Sequence, residues 1–234
     1  FVHGSLSDFS YWREQVGAFA KHYHVIAYSR RYNYPNTNPS RRGYSAITDS
    51  DDLAALIKAL HLGRVYVVGH SYGALTALFL ASRQPGLLRA VVLAEPPAMS
   101  LLNHLEGPDA AQGRALYADV QANMVEPMKE AFKEGERDKG VAIFVNYVYR
   151  DPAKWSSFSS QDRAETMKDA HEWDVMMTSG TLFPAISPEA VRAIKVPVLL
   201  MSGGKSYQFL GMTDAELARL LPDNKRIIFP DAGH

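Results

Sequence analysis

The stretch Val65-Tyr66-Val67-Val68-Gly69-His70-Ser71-Tyr72-Gly73-Ala74-Leu75-Thr76-Ala77-Leu78-Phe79-Leu80-Ala81 decides how this chain is read. An apolar run, Val65 to Val68, meets a sharp turn with Gly two positions either side of Ser71, and a helix-forming run follows from Ala74. This order is the pattern of a nucleophile elbow. The turn forces its central residue into a strained backbone conformation, and side chains two positions away collide unless they are small. The Ser71 hydroxyl then projects above the strand end, and the N-terminus of the following helix lends positive charge to a developing oxyanion.

Outward from the elbow, strands and helices alternate. Phe1-Val2 reads as the tail of a strand that leads into His3-Gly4-Ser5, and Ser10 to Lys21 carries Trp12, Val16, Phe19 and Ala20 at helical spacing. His24 to Tyr28 reads as a short buried strand, and Arg30 to Tyr44 as a long loop containing Pro35, Pro39 and Gly43. Leu53, Leu56, Ile57 and Leu60 repeat at helical spacing behind the acidic turn that begins at Asp49. After the elbow comes a further strand, Ala90 to Ala94, closed by Glu95-Pro96-Pro97. Runs of Val and Ile with little polarity inside them predict an α/β fold: a mostly parallel sheet covered by helices on both faces. From Ala98 to about Arg192 the character changes to helical segments (110–133, 141–149 and 161–178) rich in Met and aromatic residues, some of which should line a pocket. This predicts a helical cap, residues 98–192, inserted into a core formed by residues 1–97 and 193–234. Ser187-Pro188-Glu189 starts a short helix. Val196 to Met201 and Arg226 to Phe229 supply the last strands, and Thr213-Asp214-Ala215-Glu216 reads as a capping box opening the helix between them.

Composition excludes several classes. Among 234 residues, 25 basic side chains balance 25 acidic ones, which argues against nucleic acid or an anionic membrane as a partner. Without Cys there is no disulfide and no thiolate chemistry. No apolar run approaches a membrane span, and no signal peptide is recognisable, so a cytoplasmic location is expected. His22-x-His24 lies across a helix-to-strand junction without a third ligand in view, so no metal and no cofactor are expected.

A Ser hydroxyl needs an adjacent base, itself oriented by a third group. Of the eight His residues, His3, His70 and His234 sit at predicted strand ends, where sites in parallel sheets form. His70 should point away from its neighbour and pack, and His3 should brace its loop. His234, behind the short Asp231-Ala232-Gly233 turn, is the candidate base. The candidate acid is Glu95, immediately past an apolar strand and stiffened by two prolines. Asp214, the alternative, is taken as serving a helix start. Tyr72 N–H and the loop after Gly4, through Ser5 or alternatively Leu6, are the candidate oxyanion donors. Arg30, Arg31, Arg41 and Arg42, interleaved with Tyr residues in the long loop, read as solvated charges packed on rings, with an anion clamp the alternative.

From the His-Gly loop through the elbow to the terminal Gly-His, the chain resembles α/β-hydrolase-fold serine hydrolases with a helical cap. The resemblance implies an eight-stranded, mostly parallel sheet, with about two strands before Phe1 and a helix after His234, and a cap inserted after the sixth strand. The family usually carries its acid after the seventh strand, where this chain has Ser206. In carrying Glu after the sixth strand, the chain is similar to haloalkane dehalogenases and zearalenone-type lactonases. Ser71 argues against dehalogenase and epoxide hydrolase activity, which in this fold use an Asp nucleophile. The expected function is hydrolysis of a small, largely apolar carboxylic ester or lactone without a cofactor. The alternatives are a carbon–carbon bond hydrolase and a non-catalytic ligand-binding receptor of the same fold.

Overall fold

A computed structural model describes residues 1–234, the side chain of Ser179 excepted. Four parallel strands lie in the order β1 (Val65–His70), β2 (Leu88–Ala94), β3 (Val198–Gly203) and β4 (Asn224–Phe229). Val2 extends the sheet beyond β1 through single bridges to Gly69 on one side and Tyr28 on the other. All these segments run the same way, so their C-terminal ends, with His3, Ser71, Glu95 and the turn after Gly203, gather along one edge of the sheet.

The strand expected at His24–Tyr28 is reduced to that one bridge. Tyr28 pairs there with Val2 alone, and His24 is exposed. The eight strands implied by the resemblance are likewise four strands and two bridges among the described residues.

The helices around β1 are α1 (Arg13–Phe19), α2 (Ala46–Ala59) and α3 (Tyr72–Arg83); α3 packs against β1 and β2, and α2 against α3. Ser45 caps α2 by accepting the Ile47 N–H. Nearly every side of α3 is buried, with Ala74, Leu75, Ala77, Leu78 and Leu80 at 0% exposure. Burying each of its leucines stabilises the fold by about 2 kcal/mol.

Between β2 and β3 the regular elements are all helices, among them α4 (Ala110–Val120), α5 (Glu126–Lys133), α6 (Arg137–Tyr149), α7 (Lys154–Ser157), α8 (Ser160–Met167), α9 (Ala170–Ser179) and α10 (Pro188–Arg192). A π turn, Gln121–Val125, joins α4 to α5. Pro127 explains it, because a residue without an N–H whose ring crowds the preceding turn disrupts regular helical bonding there. The long helix expected at 161–178 is split between α8 and α9, where Asp169 leaves helical geometry and accepts the Tyr34 N–H at 2.7 Å. One contiguous apolar cluster joins these helices to the sheet, through Met99, Leu101, Met124 and Trp173.

The last helix, α11 (Gln208–Leu220), corrects the capping-box reading. Thr213 and Asp214 lie in its interior, fully buried, and Thr213 donates back to the Leu210 carbonyl at 2.9 Å. Phe209 and Leu210, also buried, carry the helix back past the local start signal. Among the described residues no helix is long and apolar enough to cross a membrane.

Two glycines of the elbow are required by close approach. A Cβ on Gly69 would lie 2.4 Å from the Gly73 carbonyl oxygen, and one on Gly73 would lie 2.3 Å from that of Val2 and 2.4 Å from that of His3. The obstacles are backbone atoms, which cannot swing aside. Gly73→Ala should therefore destabilise the protein by about 3 kcal/mol. A thermal melt that superimposes on the wild type would contradict this packing.

Candidate active site

Ser71 occupies the turn between β1 and α3 with φ 52° and ψ −121°, a strained conformation for a residue with a side chain. Its N–H donates to the Ala94 carbonyl at 2.8 Å, tying the elbow to the end of β2. The next residue there is Glu95, also at positive φ (51°), whose own N–H donates to the Met201 carbonyl at 3.1 Å. Backbone bonds between adjacent strand ends thus fix both residues.

His234 lies between them. Its Nε2 is 3.0 Å from Ser71 Oγ, and its Nδ1 is 2.6 Å from Glu95 Oε2. With Nδ1–H donating to the carboxylate, Nε2 is the acceptor facing the hydroxyl. Glu95 Oε1 accepts the Gly203 N–H at 2.8 Å, so both carboxylate oxygens are held. Burial alone would raise the Glu95 carboxyl, but the bonds from His234 and Gly203 outweigh it and hold it below the usual carboxylate range. Ser206 adds to this from nearby, although its Oγ meets hydrogen-bond geometry with no atom among the described residues. Such a line can draw a proton from a hydroxyl and stabilise the imidazolium that forms.

His70 is half-buried and stacks against Tyr11 (centroids 5.3 Å apart, planes 12°), with its other neighbour the His234 ring at 4.8 Å. Burial first, and then the adjacent His234, lowers it to about 3, so it stays neutral. His3 braces its loop as expected. The Arg30 N–H donates to its Nε2 at 3.0 Å, which leaves Nδ1–H to donate to the Gly4 carbonyl at 2.8 Å.

The Tyr72 and Ser5 N–H groups donate to no protein acceptor among the described residues, whereas the Leu6 N–H is taken by Glu172 Oε2 at 3.3 Å. Of the two loop donors considered, Ser5 is thus the one whose amide is not engaged by the protein. Ser5, Ser71, Tyr72 and His234 border a tight cavity of about 30 Å³ whose other walls are apolar, including Met124, Phe144, Trp173, Phe183 and Phe209. Among the described residues no cluster of His, Asp and Glu could hold a metal ion.

Asp214 stands apart from this line. Its Oδ2 accepts from Ser202 Oγ at 2.6 Å, and Ser202 in turn accepts from Arg226 Nε at 3.2 Å. Burial raises its carboxyl to about 7, with repulsion from Glu95 adding to the effect. A carboxyl with a folded-state pKa above its unfolded value adds stability below about pH 4 and loses it as pH rises through about 7. Asp214→Asn should leave kcat nearly unchanged while removing that dependence. The difference between wild-type and variant melting temperatures should then shift in favour of Asn from pH 4 to 7. A parallel pair of melting curves across that range would refute it.

Arg30 overturns the reading of the loop arginines as solvated. Its guanidinium is fully buried between Asp49 (Nη1–Oδ2 2.8 Å) and Glu172 (Nη2–Oε1 2.5 Å), and it lies over the Tyr72 ring at 4.8 Å. Burial opposes its charge, but Glu172, Tyr44 and Asp49 together hold it well above the usual Arg value. Arg31 pairs with Asp52 at 2.7 and 2.5 Å, and Arg41 and Arg42 are exposed. Glu172 escaped the sequence reading. Its one mark there is an acid set next to Trp173 at the head of a helix with Val175, Met176 and Met177.

Comparison with known proteins places the fold of the chain. The family model for the alpha/beta hydrolase fold matches residues 1–234. A 2-(acetamidomethylene)succinate hydrolase from Mesorhizobium japonicum is 26% identical, over 100% of this chain and 80% of its own length. A Pantoea ananatis protein named as a candidate carbamate hydrolase, RutD, is 22% identical over 96% of this chain and 76% of its own. The crystal structure of an enol-lactonase from Burkholderia xenovorans superimposes with a TM-score of 0.60 at 20% identity, covering 97% of this chain and 80% of that one, a likeness of fold.

Proposed function

Because the chain belongs to the α/β-hydrolase family, we propose that it is a serine hydrolase cleaving a small, largely apolar carboxylic ester or lactone through an acyl-enzyme. Hydrolase activity is supported by the family and by the names of the relatives. The observation that carries the finer reading is the unbroken line from Glu95 through His234 to Ser71, at 2.6 and 3.0 Å.

In this reading Ser71 Oγ attacks the substrate carbonyl as His234 Nε2 takes its proton. Glu95 keeps Nδ1–H pointed at itself and stabilises the imidazolium. The N–H groups of Ser5 and Tyr72 receive the oxyanion. Collapse of the tetrahedral intermediate expels the alkoxide, which His234 protonates; a lactone keeps that alcohol tethered to the acyl group. Water, deprotonated by His234, then cleaves the acyl-enzyme. The apolar walls around Ser71 support an uncharged acyl group, and the stretch between β2 and β3, which supplies most of those walls, would act as the cap that sets specificity.

The test is labelling with a fluorophosphonate followed by a panel of esters, lactones, a carbamate and a dienoic diketone. Covalent modification at Ser71, with turnover of esters or lactones, is the expected result. An unlabelled Ser71, or turnover confined to the diketone, would reject it.

A further inference from the structure

The Ser5 N–H belongs to the peptide group whose other end is the Gly4 carbonyl. A peptide group is planar, so whatever holds the carbonyl sets the direction of the N–H. The Gly4 oxygen accepts from Arg30 Nη2 at 3.0 Å and from His3 Nδ1 at 2.8 Å, all in a buried setting. The following peptide group is held by the Leu6 N–H, which donates to Glu172 Oε2 at 3.3 Å. Leu6 sits at φ 52°, a left-handed conformation that a Leu keeps only where its surroundings over-determine it.

Arg30 and Glu172, the two groups that grip these adjoining peptides, are themselves an ion pair with both side chains at 0% exposure. Asp49 and Tyr44 secure the guanidinium from α2 and the loop before it, and Asn33 Nδ2 donates to Glu172 Oε2 at 2.9 Å. Glu172 comes from α9, in the helical stretch between β2 and β3, and is separated from Leu6 by 166 positions. The same α9 contributes Trp173 to the cavity wall.

We propose that Glu172 is a positioning residue: with Arg30 it holds the two peptide groups around Ser5 so that the Ser5 N–H faces the oxyanion, which makes correct seating of α9 a condition of catalysis. The inference rests on the reading of Ser71 and the Ser5 amide given above. Misdirecting one oxyanion donor weakens transition-state binding more than substrate binding, so the loss belongs in kcat.

Three variants test it, assayed on a small activated ester well below each variant's own melting temperature. Glu172→Ala should lower kcat about ten- to a hundredfold with KM within about twofold. Glu172→Gln retains a carbonyl acceptor for the Leu6 N–H and should recover most of that loss. Glu172→Asp keeps the buried charge but withdraws it by one methylene, so it should show the same kcat loss even if the Ala variant does not fold. Wild-type kcat in Glu172→Asp, a loss confined to KM, or a Gln variant no better than Ala would overturn the positioning role. Ser71→Ala run alongside separates the two failures. Turnover that depends on Ser71 but is indifferent to Glu172 sinks this inference alone, whereas turnover indifferent to Ser71 removes the hydrolase reading and this one with it.

Discussion

Ser71→Ala is expected to abolish turnover of an activated ester, with a loss of about a millionfold in kcat. The alanine leaves φ 52° and the backbone of the elbow in place, so the Ser5 and Tyr72 amides and the cavity keep their positions. What disappears is the hydroxyl proposed to form the bond to the substrate carbon. Substrate affinity should therefore survive, and fluorophosphonate labelling should not. Retained labelling in Ser71→Ala would mean that another nucleophile does the work, and the line of three residues would lose its meaning as a catalytic unit.

Glu95→Gln should cost about three to four orders of magnitude in kcat. The carboxylate is held below the usual range, so it is charged across neutral pH and accepts the His234 Nδ1–H. An amide at that place can turn its NH2 toward Nδ1 instead, which moves the ring proton to Nε2. Nε2 would then present a hydrogen to Ser71 Oγ rather than a lone pair. The Gly203 N–H can still be accepted by the amide oxygen, so the loop after β3 should stay in place and the melting temperature should change little. The comparison with Asp214→Asn is the decisive control. Equal losses at both positions, or a loss at Asp214 alone, would move the acid from Glu95 to α11.

These predictions together assign stability and catalysis to different carboxylates. Glu95 is short-bonded, depressed and aimed at the imidazole; Asp214 is raised to about 7 by burial and faces Ser202. Both sit near the C-terminal edge of the sheet, and their bonding partners alone distinguish their parts. The loop around Ser5 meets a third carboxylate, Glu172 of α9, with neither of those tasks.

The elbow, the strands around it and the three residues that converge there were legible from sequence because each depends on short-range sterics. Gly69 and Gly73 are small because backbone atoms lie within 2.4 Å of where a Cβ would stand. Ser71 and Glu95 follow apolar strand runs, and His234 follows the last one, so parallel topology brings all three to one edge. The tertiary structure alone decided the rest. Thr213-Asp214-Ala215-Glu216 carries a local helix-start signal, yet burial of Phe209 and Leu210 extends the helix through it. His24–Tyr28 has a strand's composition, but a strand exists only where backbone pairing forms, and among the described residues only Tyr28 pairs, with Val2. Arg30 looks like any loop arginine until α9 delivers Glu172 to it, because a buried charge is tolerated only with partners that no local pattern announces.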